Sequence, residues 1–197
     1  MSMDTIVLGS GNEHKIEELR ATLAPLGIDL KSSCDFENLE EVEEDALTLE
    51  GNALKKARYF HEVTGLPAIS DDTGLEVEAL DGRPGVFSAR YAGESATYQD
   101  NVDKLLDELA GVEMKDRQAQ FRTVIAFVTE EDTYTFEGVC RGHILTEEHG
   151  DKGFGYDPVF RPKGYDQTFA ELDPEVKNRI SHRGKAIQKF INWLSSH

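Results

Sequence analysis

Thr5-Ile6-Val7-Leu8-Gly9-Ser10-Gly11-Asn12-Glu13-His14-Lys15-Ile16 is the stretch that decides the fold. Four β-favouring residues stop at a Gly-Ser-Gly-Asn break. Ile16, Leu19, Leu23 and Leu26 then recur on one helical face until Pro25 and Gly27 end it. A short strand feeding a helix through a small-residue turn is the opening unit of an α/β protein. The turn also has a chemistry. N–H groups at a helix start and the positive end of its dipole suit phosphate, and Lys15 adds a point charge. The spacing is neither that of a P-loop nor Gly-x-Gly-x-x-Gly. By itself the segment reads first as a plain turn with Asn12 as N-cap.

Outward from there the alternation continues. Ile28 to Lys31 reads as a second strand, and Leu49, Ala53, Leu54, Ala57 and Phe60 mark a helix. Leu66 to Ser70 is an apolar strand that runs into Asp71-Asp72-Thr73-Gly74, and Asp81-Gly82-Arg83-Pro84-Gly85 is dense in turn residues. Val102, Leu105, Leu106 and Leu109 mark another helix. Ala119 to Thr129 and Thr133 to Val139 form a hairpin across Glu130-Glu131-Asp132, so the sheet is mixed. Asp173-Pro174 looks like an N-cap with proline at the first helical position. Ala186, Ile187, Phe190, Ile191, Trp193 and Leu194 give the last helix its buried side.

Composition excludes more than it assigns. The 197 residues fit one sizeable domain or two small lobes around one core, and residues 1–197 are read as a single domain. No run of about 18 apolar residues exists, so no membrane span is expected. Met1 to Leu8 lacks the features of a secretory signal, which leaves a cytoplasmic location by default. Cys34 and Cys140 have no metal-binding spacing and read as free thiols. With 38 acidic against 21 basic residues the net charge is −17, so nucleic acid is not expected as a partner. From Val176 onward, however, there is no acid, while Lys177, Arg179, Arg183, Lys185 and Lys189 stand beside His182. That fits either a small anionic ligand or a solvated basic face near a helix C-terminus.

Four further segments carry candidate chemistry. Asp71 and Asp72, where a strand ends, suit a hard cation or a general base, or else an Asx-type turn. Glu43-Glu44 lies in an acidic run, and the local sequence does not choose which of the two would join Asp72 at a metal. Gly153-Phe154-Gly155-Tyr156-Asp157-Pro158 offers rings for stacking and an acceptor for a base edge, or a tight turn with core aromatics. Ser181-His182-Arg183-Gly184-Lys185 can read a carbonyl or hold phosphate, or can simply be a charged helix surface.

Taken together and in order, these segments resemble the inosine triphosphate pyrophosphatase family. The likeness lies in Ser-Gly-Asn-x-x-Lys at Ser10–Lys15, in Ser70–Leu75 and in Gly82-Arg83-Pro84-Gly85-Val86-Phe87-Ser88-Ala89-Arg90-Tyr91. It continues at Gly153–Pro158 and closes at Ile180-Ser181-His182-Arg183-Gly184, so it spans nearly the whole chain. Each motif is weak alone, and five in order are specific. Many members carry threonine where Ser10 stands, and both offer a hydroxyl.

The resemblance implies a long, twisted mixed sheet with helices, two lobes around a central cleft, and a homodimer. It implies a magnesium-dependent hydrolase, with manganese as a substitute. The substrates would be aberrant purine triphosphates (inosine, deoxyinosine and xanthosine), cut to the monophosphate and pyrophosphate. Ser10, Gly11, Asn12, Glu13, His14 and Lys15 would hold the triphosphate. Glu44 and Asp72 would bind magnesium, with Asp72 as general base and Asp71 as its support or alternative. Thr73, Lys56 and Lys177 would contact phosphate or ribose. Phe154, with Gly155 and Tyr156 in the same loop, would take the purine, and Asp157, His182 and Arg183 would read its edge. A septum-type pyrophosphatase fits less well, because its arginine-rich phosphate loop is replaced by Gly11-Asn12-Glu13-His14-Lys15. A nucleotide- or RNA-binding module without catalysis is disfavoured by the net acidity and the Asp71-Asp72 pair.

Overall fold

The computed structural model describes residues 4–37 and 39–196, and the side chain of His14 lies outside what it describes. Among the described residues seven strands form one sheet: β1 (Thr5–Leu8), β2 (Asp29–Ser32), β3 (Ala68–Val77), β4 (Pro84–Gly85), β5 (Gln118–Val128), β6 (Thr133–Ile144) and β7 (Phe160–Pro162). Their order is β2-β1-β3-β5-β6-β7, with β4 pairing beside β3. β1 runs parallel to β2 and β3, while β4 on β3 and β7 on β6 are antiparallel. The sheet is therefore mixed and the class α/β, as the hairpin in the sequence implied. The helices are α1 (Glu13–Leu23), α2 (Leu49–Thr64), α3 (Tyr98–Glu108), α4 (Pro174–Ile180) and α5 (His182–Leu194).

The chain divides into two compact units, residues 1–72, 124–137 and 186–197 in the first and 73–123 with 138–185 in the second. It passes from one to the other within β3, β5, β6 and α5. Each unit has its own core. In the first, Ile6, Leu8, Leu19, Leu23, Ile69, Phe127 and Phe190 are buried together. In the second, Leu75, Val77, Leu105, Phe121, Phe160 and Phe169 are. Burying residues of this size removes the apolar surface that drives folding, at about 1.5–3 kcal/mol for each large side chain.

Two sequence expectations need correction here. α1 stops at Leu23, and Ala24–Leu26 tightens into a 3-10 turn, so Leu26 leaves the buried face and is 39% exposed. Pro25 has no backbone N–H to give to a continuing helix. Second, β3 does not end before Asp71; its ten residues run from Ala68 through Asp71-Asp72-Thr73-Gly74 to Val77. Paired carboxylates and glycine suggested a turn, but the strand is covered along its length, and sheet pairing overrides that local preference. Of the basic patch after Val176, Lys177 and Arg179 occupy the last turn of α4, where cations suit the helix dipole, and His182 and Arg183 open α5.

Candidate active site

In the first unit, α1 begins where expected. Asn12 caps it, its side chain accepting from the Lys15 N–H at 3.3 Å, while the Asn12 N–H donates to Ser10 Oγ at 3.2 Å. Ser10 to Glu13 thus present a small-residue loop at a helix start, with Gly11, Asn12 and Glu13 exposed. Glu13 opposes phosphate as a side chain, but its position in the first turn offers a backbone N–H to an anion.

Beneath this loop lies a lattice of acids and amines. Because successive residues of a strand point to opposite faces, Asp71 and Asp72 meet different partners. Asp71 Oδ2 accepts from Lys15 Nζ at 2.7 Å. Asp72 Oδ2 accepts from the Asn52 amide nitrogen at 3.0 Å. The two carboxylates are 5% and 9% exposed. Lys56, one turn beyond Asn52 on α2, is ion-paired with Glu44 and also donates to the Asp71 carbonyl at 2.7 Å. Of the two candidate acids it is Glu44 that this lysine holds. Ser70 Oγ donates to the Gly9 carbonyl at 3.3 Å, joining β3 to the loop.

These residues fit a hard divalent cation. Magnesium is typically held by one or two carboxylates plus substrate phosphates rather than by a cage made of protein alone. Glu44 and Asp72 could supply two oxygen donors to such an ion, and among the described residues no three His, Cys, Asp or Glu side chains gather into a protein-only cage.

In the second unit, the loop from Gly150 to Pro158 contains no helix or strand. Phe154 projects from it, 58% exposed. Asp157 turns inward. It is buried, accepts from the Phe154 N–H at 2.8 Å and is ion-paired with Lys177 at 2.5 Å. Burial holds its carboxyl above the usual carboxylate range, while Lys177 and the Phe154 N–H pull the other way. The loop needs glycine at 153, where φ is +76° and a Cβ would stand 2.1 Å from Asp157 Oδ2. Lys177 Nζ lies 5.5 Å from the Phe154 ring centre and 5.4 Å from that of Phe169.

Tyr156 is not the exposed stacking ring that the sequence allowed. It is 5% exposed within the core, and its hydroxyl donates to the Ser88 carbonyl at 2.8 Å. Among the loop's two aromatics only Phe154 is available for stacking. Thr73 shares a hydrogen bond of 2.6 Å with the Thr123 hydroxyl. His182 lies flat on Phe121, with ring centres 4.7 Å apart and planes 18° apart. Arg183 follows it in the first turn of α5. Gly184 lets this turn close on the end of α4, since a Cβ there would meet the Asn178 carbonyl oxygen at 1.8 Å.

The Ham1 family model matches residues 6–193. The chain belongs to the Ham1 family. It is 49% identical over 197 residues to the dITP/XTP pyrophosphatase of Desulfotalea psychrophila, covering 96% of this chain and 87% of that one. It is 47% identical over 191 residues to the dITP/XTP pyrophosphatase of Flavobacterium johnsoniae, covering 97% and 98%. Among solved structures, a HAM1 protein from Coxiella burnetii superposes with a TM-score of 0.94 at 41% identity, covering 99% of this chain and all of that one. The Staphylococcus aureus Ham1 protein gives 0.91 at 37%, covering 98% of each chain.

Two residues of this Ham1 chain lie beside the candidate groups and escaped the sequence reading. Asn52 is fully buried and bonds both Asp72 and the Ala46 N–H. Its signal was present: an amide between Leu49 and Ala53 on the apolar stripe of α2 needs a buried partner. Tyr98 lies against Phe154, with ring centres 6.1 Å apart. As a lone aromatic at a helix start it carried no signal of its own.

Proposed function

We propose that this protein hydrolyses inosine, deoxyinosine and xanthosine triphosphates to the monophosphate and pyrophosphate. The observation that carries the reading is the lattice at the start of α1. Lys15 and Lys56 stand in hydrogen-bond contact with Asp71 and Glu44, and Asp72 is oriented beside them. A triphosphate brings about four negative charges, which a protein of net charge −17 repels unless cations meet them locally. The relatives named dITP/XTP pyrophosphatase support the same substrate class.

In this reading Ser10 to Lys15 bind phosphate oxygens through backbone N–H groups and the Lys15 ammonium. Asp72 takes a proton from the attacking water. Asp71 holds Lys15 in place, and Lys56 links Glu44 to β3. Bound through Glu44 and Asp72, magnesium would supply charge stabilisation at the phosphoryl oxygens and acidify its water. In the second unit Phe154 offers a face to the purine, and His182 and Arg183 offer N–H donors to its edge. The Lys177–Asp157 pair fixes the loop that carries Phe154. The family's homodimer and a cytoplasmic location belong to the same proposal. No helix among the described residues is long and apolar enough to cross a membrane.

The test is pyrophosphate release from a panel of nucleoside triphosphates with magnesium. Turnover of the inosine nucleotide with pyrophosphate as co-product is expected, and excess chelator should abolish it. In oxygen-18 water the label should enter the monophosphate. Label found in orthophosphate, with a diphosphate as the other product, overturns the proposal. Sedimentation at graded protein concentration reads the homodimer.

A further inference from the structure

Phe154 and Tyr98 are two of the most exposed large apolar side chains described, at 58% and 59%. They pack on one another, ring centres 6.1 Å apart and planes tilted by 40°. Exposed aromatics that cluster, instead of scattering singly, mark a surface that meets a ligand. The Phe154 backbone is fixed by Asp157, and its exposed ring is met by the Tyr98 ring and by Lys177 Nζ, 5.5 Å from the ring centre.

Tyr98 stands on a fixed backbone. It is the first residue of α3, just after the Thr97 cap, whose side chain accepts from the Asp100 N–H while Asp100 Oδ2 accepts from the Thr97 N–H. Gln99 next to it donates to Glu148 Oε1 at 2.6 Å, which ties this helix start to the segment leading into the glycine-rich loop. A stacking side chain must give up rotamer freedom on binding, and a neighbour that has already restricted it lowers that cost.

We infer that Tyr98 is a positioning residue for base recognition: its ring holds Phe154 in the orientation that receives the purine. The inference rests on the proposed stacking role of Phe154. Aromatic pairs of this kind contribute enough to change an affinity by about three- to tenfold.

The experiment is equilibrium binding by calorimetry, which does not depend on turnover. The probes are inosine monophosphate and, as a ligand without a base, magnesium tripolyphosphate. Tyr98→Ala should weaken the monophosphate by about three- to tenfold and leave tripolyphosphate unchanged. Tyr98→Phe, which keeps the ring, should bind both like the parent. In steady-state kinetics Tyr98→Ala should raise KM for the inosine nucleotide far more than it lowers kcat. Equal loss for both probes would make Tyr98 merely structural and overturn the inference, as would unchanged monophosphate binding. A parent that binds tripolyphosphate but no inosine monophosphate would instead sink the stacking role of Phe154 itself.

Discussion

The amide of Asn52 joins two parts of the candidate site: its nitrogen donates to Asp72 Oδ2 at 3.0 Å, and its oxygen accepts from the Ala46 N–H at 2.9 Å. Ala46 lies two residues after Glu44, so one buried side chain sets the spacing between the two proposed metal ligands. An amide suits this place because it orients a carboxylate without cancelling its charge, as a lysine would. Asn52→Ala should cost about 1–3 kcal/mol in stability, from the groups left unsatisfied. It should also weaken the response to magnesium by about ten- to a hundredfold. Urea denaturation and a magnesium titration of activity read the two effects. A folded variant with the parent's magnesium response would detach Asn52 from the site.

Asp72→Asn keeps the shape and an acceptor for Asn52 but removes the negative charge. Turnover should fall by at least about a hundredfold while the melting transition stays close to the parent's. Near-normal hydrolysis of inosine triphosphate by this variant would take Asp72 out of the mechanism.

The Lys177–Asp157 pair gives a pH-dependent prediction. Asp157 is held above its ordinary value of 3.8 by burial. A raised carboxyl keeps its proton to higher pH in the folded state than in the unfolded one. Its contribution to stability is therefore full at low pH and is lost as the pH climbs through the raised value. In the parent, Lys177 offsets that loss. Lys177→Met removes the offset and should cost about 3–5 kcal/mol near neutral pH, as breaking a buried pair does. The deficit should shrink as the pH falls below neutral and Asp157 takes up its proton. Urea midpoints measured across that range provide the check, and a deficit that does not change with pH would contradict it.

What the sequence could show follows from the range of each signal. The opening strand, the Asn12 cap, α2 and the β5–β6 hairpin are local, and periodicity or turn chemistry announces them. The course of β3 through Asp71 and Asp72 is not local. Two acids and a glycine favour a turn until neighbouring strands claim their backbone. Tyr156 shows the same limit: beside Phe154 in a glycine-rich loop the two look alike, and only the tertiary fold sends one ring to Ser88 and the other to solvent. The pairings Lys15–Asp71 and Asn52–Asp72 span 56 and 20 residues, beyond any spacing rule. The family motifs located Lys15, Asp71 and Asp72 without showing what they touch, and Asn52 and Tyr98 stood outside the motifs altogether.

The last prediction concerns the base and rests on hydrogen-bond polarity. His182 is fixed flat on Phe121, so its ring plane cannot turn freely, and Arg183 stands next to it in the first turn of α5. A guanidinium only donates, and the dipole at a helix start favours a partner carrying partial negative charge. Inosine and xanthosine present a carbonyl at purine position 6, where adenine presents an amino group. The carbonyl is satisfied by these donors, whereas the amino group sets donor against donor. Each group left unpaired costs roughly 1–3 kcal/mol, and two of them separate substrates by about a hundredfold or more. Catalytic efficiency should accordingly be far higher for inosine and xanthosine triphosphates than for adenosine triphosphate. Guanine shares the 6-carbonyl, so this contact does not reject it, and its 2-amino group must be refused elsewhere. Arg183→Ala should narrow the gap between inosine and adenosine nucleotides mainly by lowering efficiency on the former. Comparable efficiency on both in the parent would refute the role given to His182 and Arg183, and a gap unchanged in Arg183→Ala would remove the arginine from it.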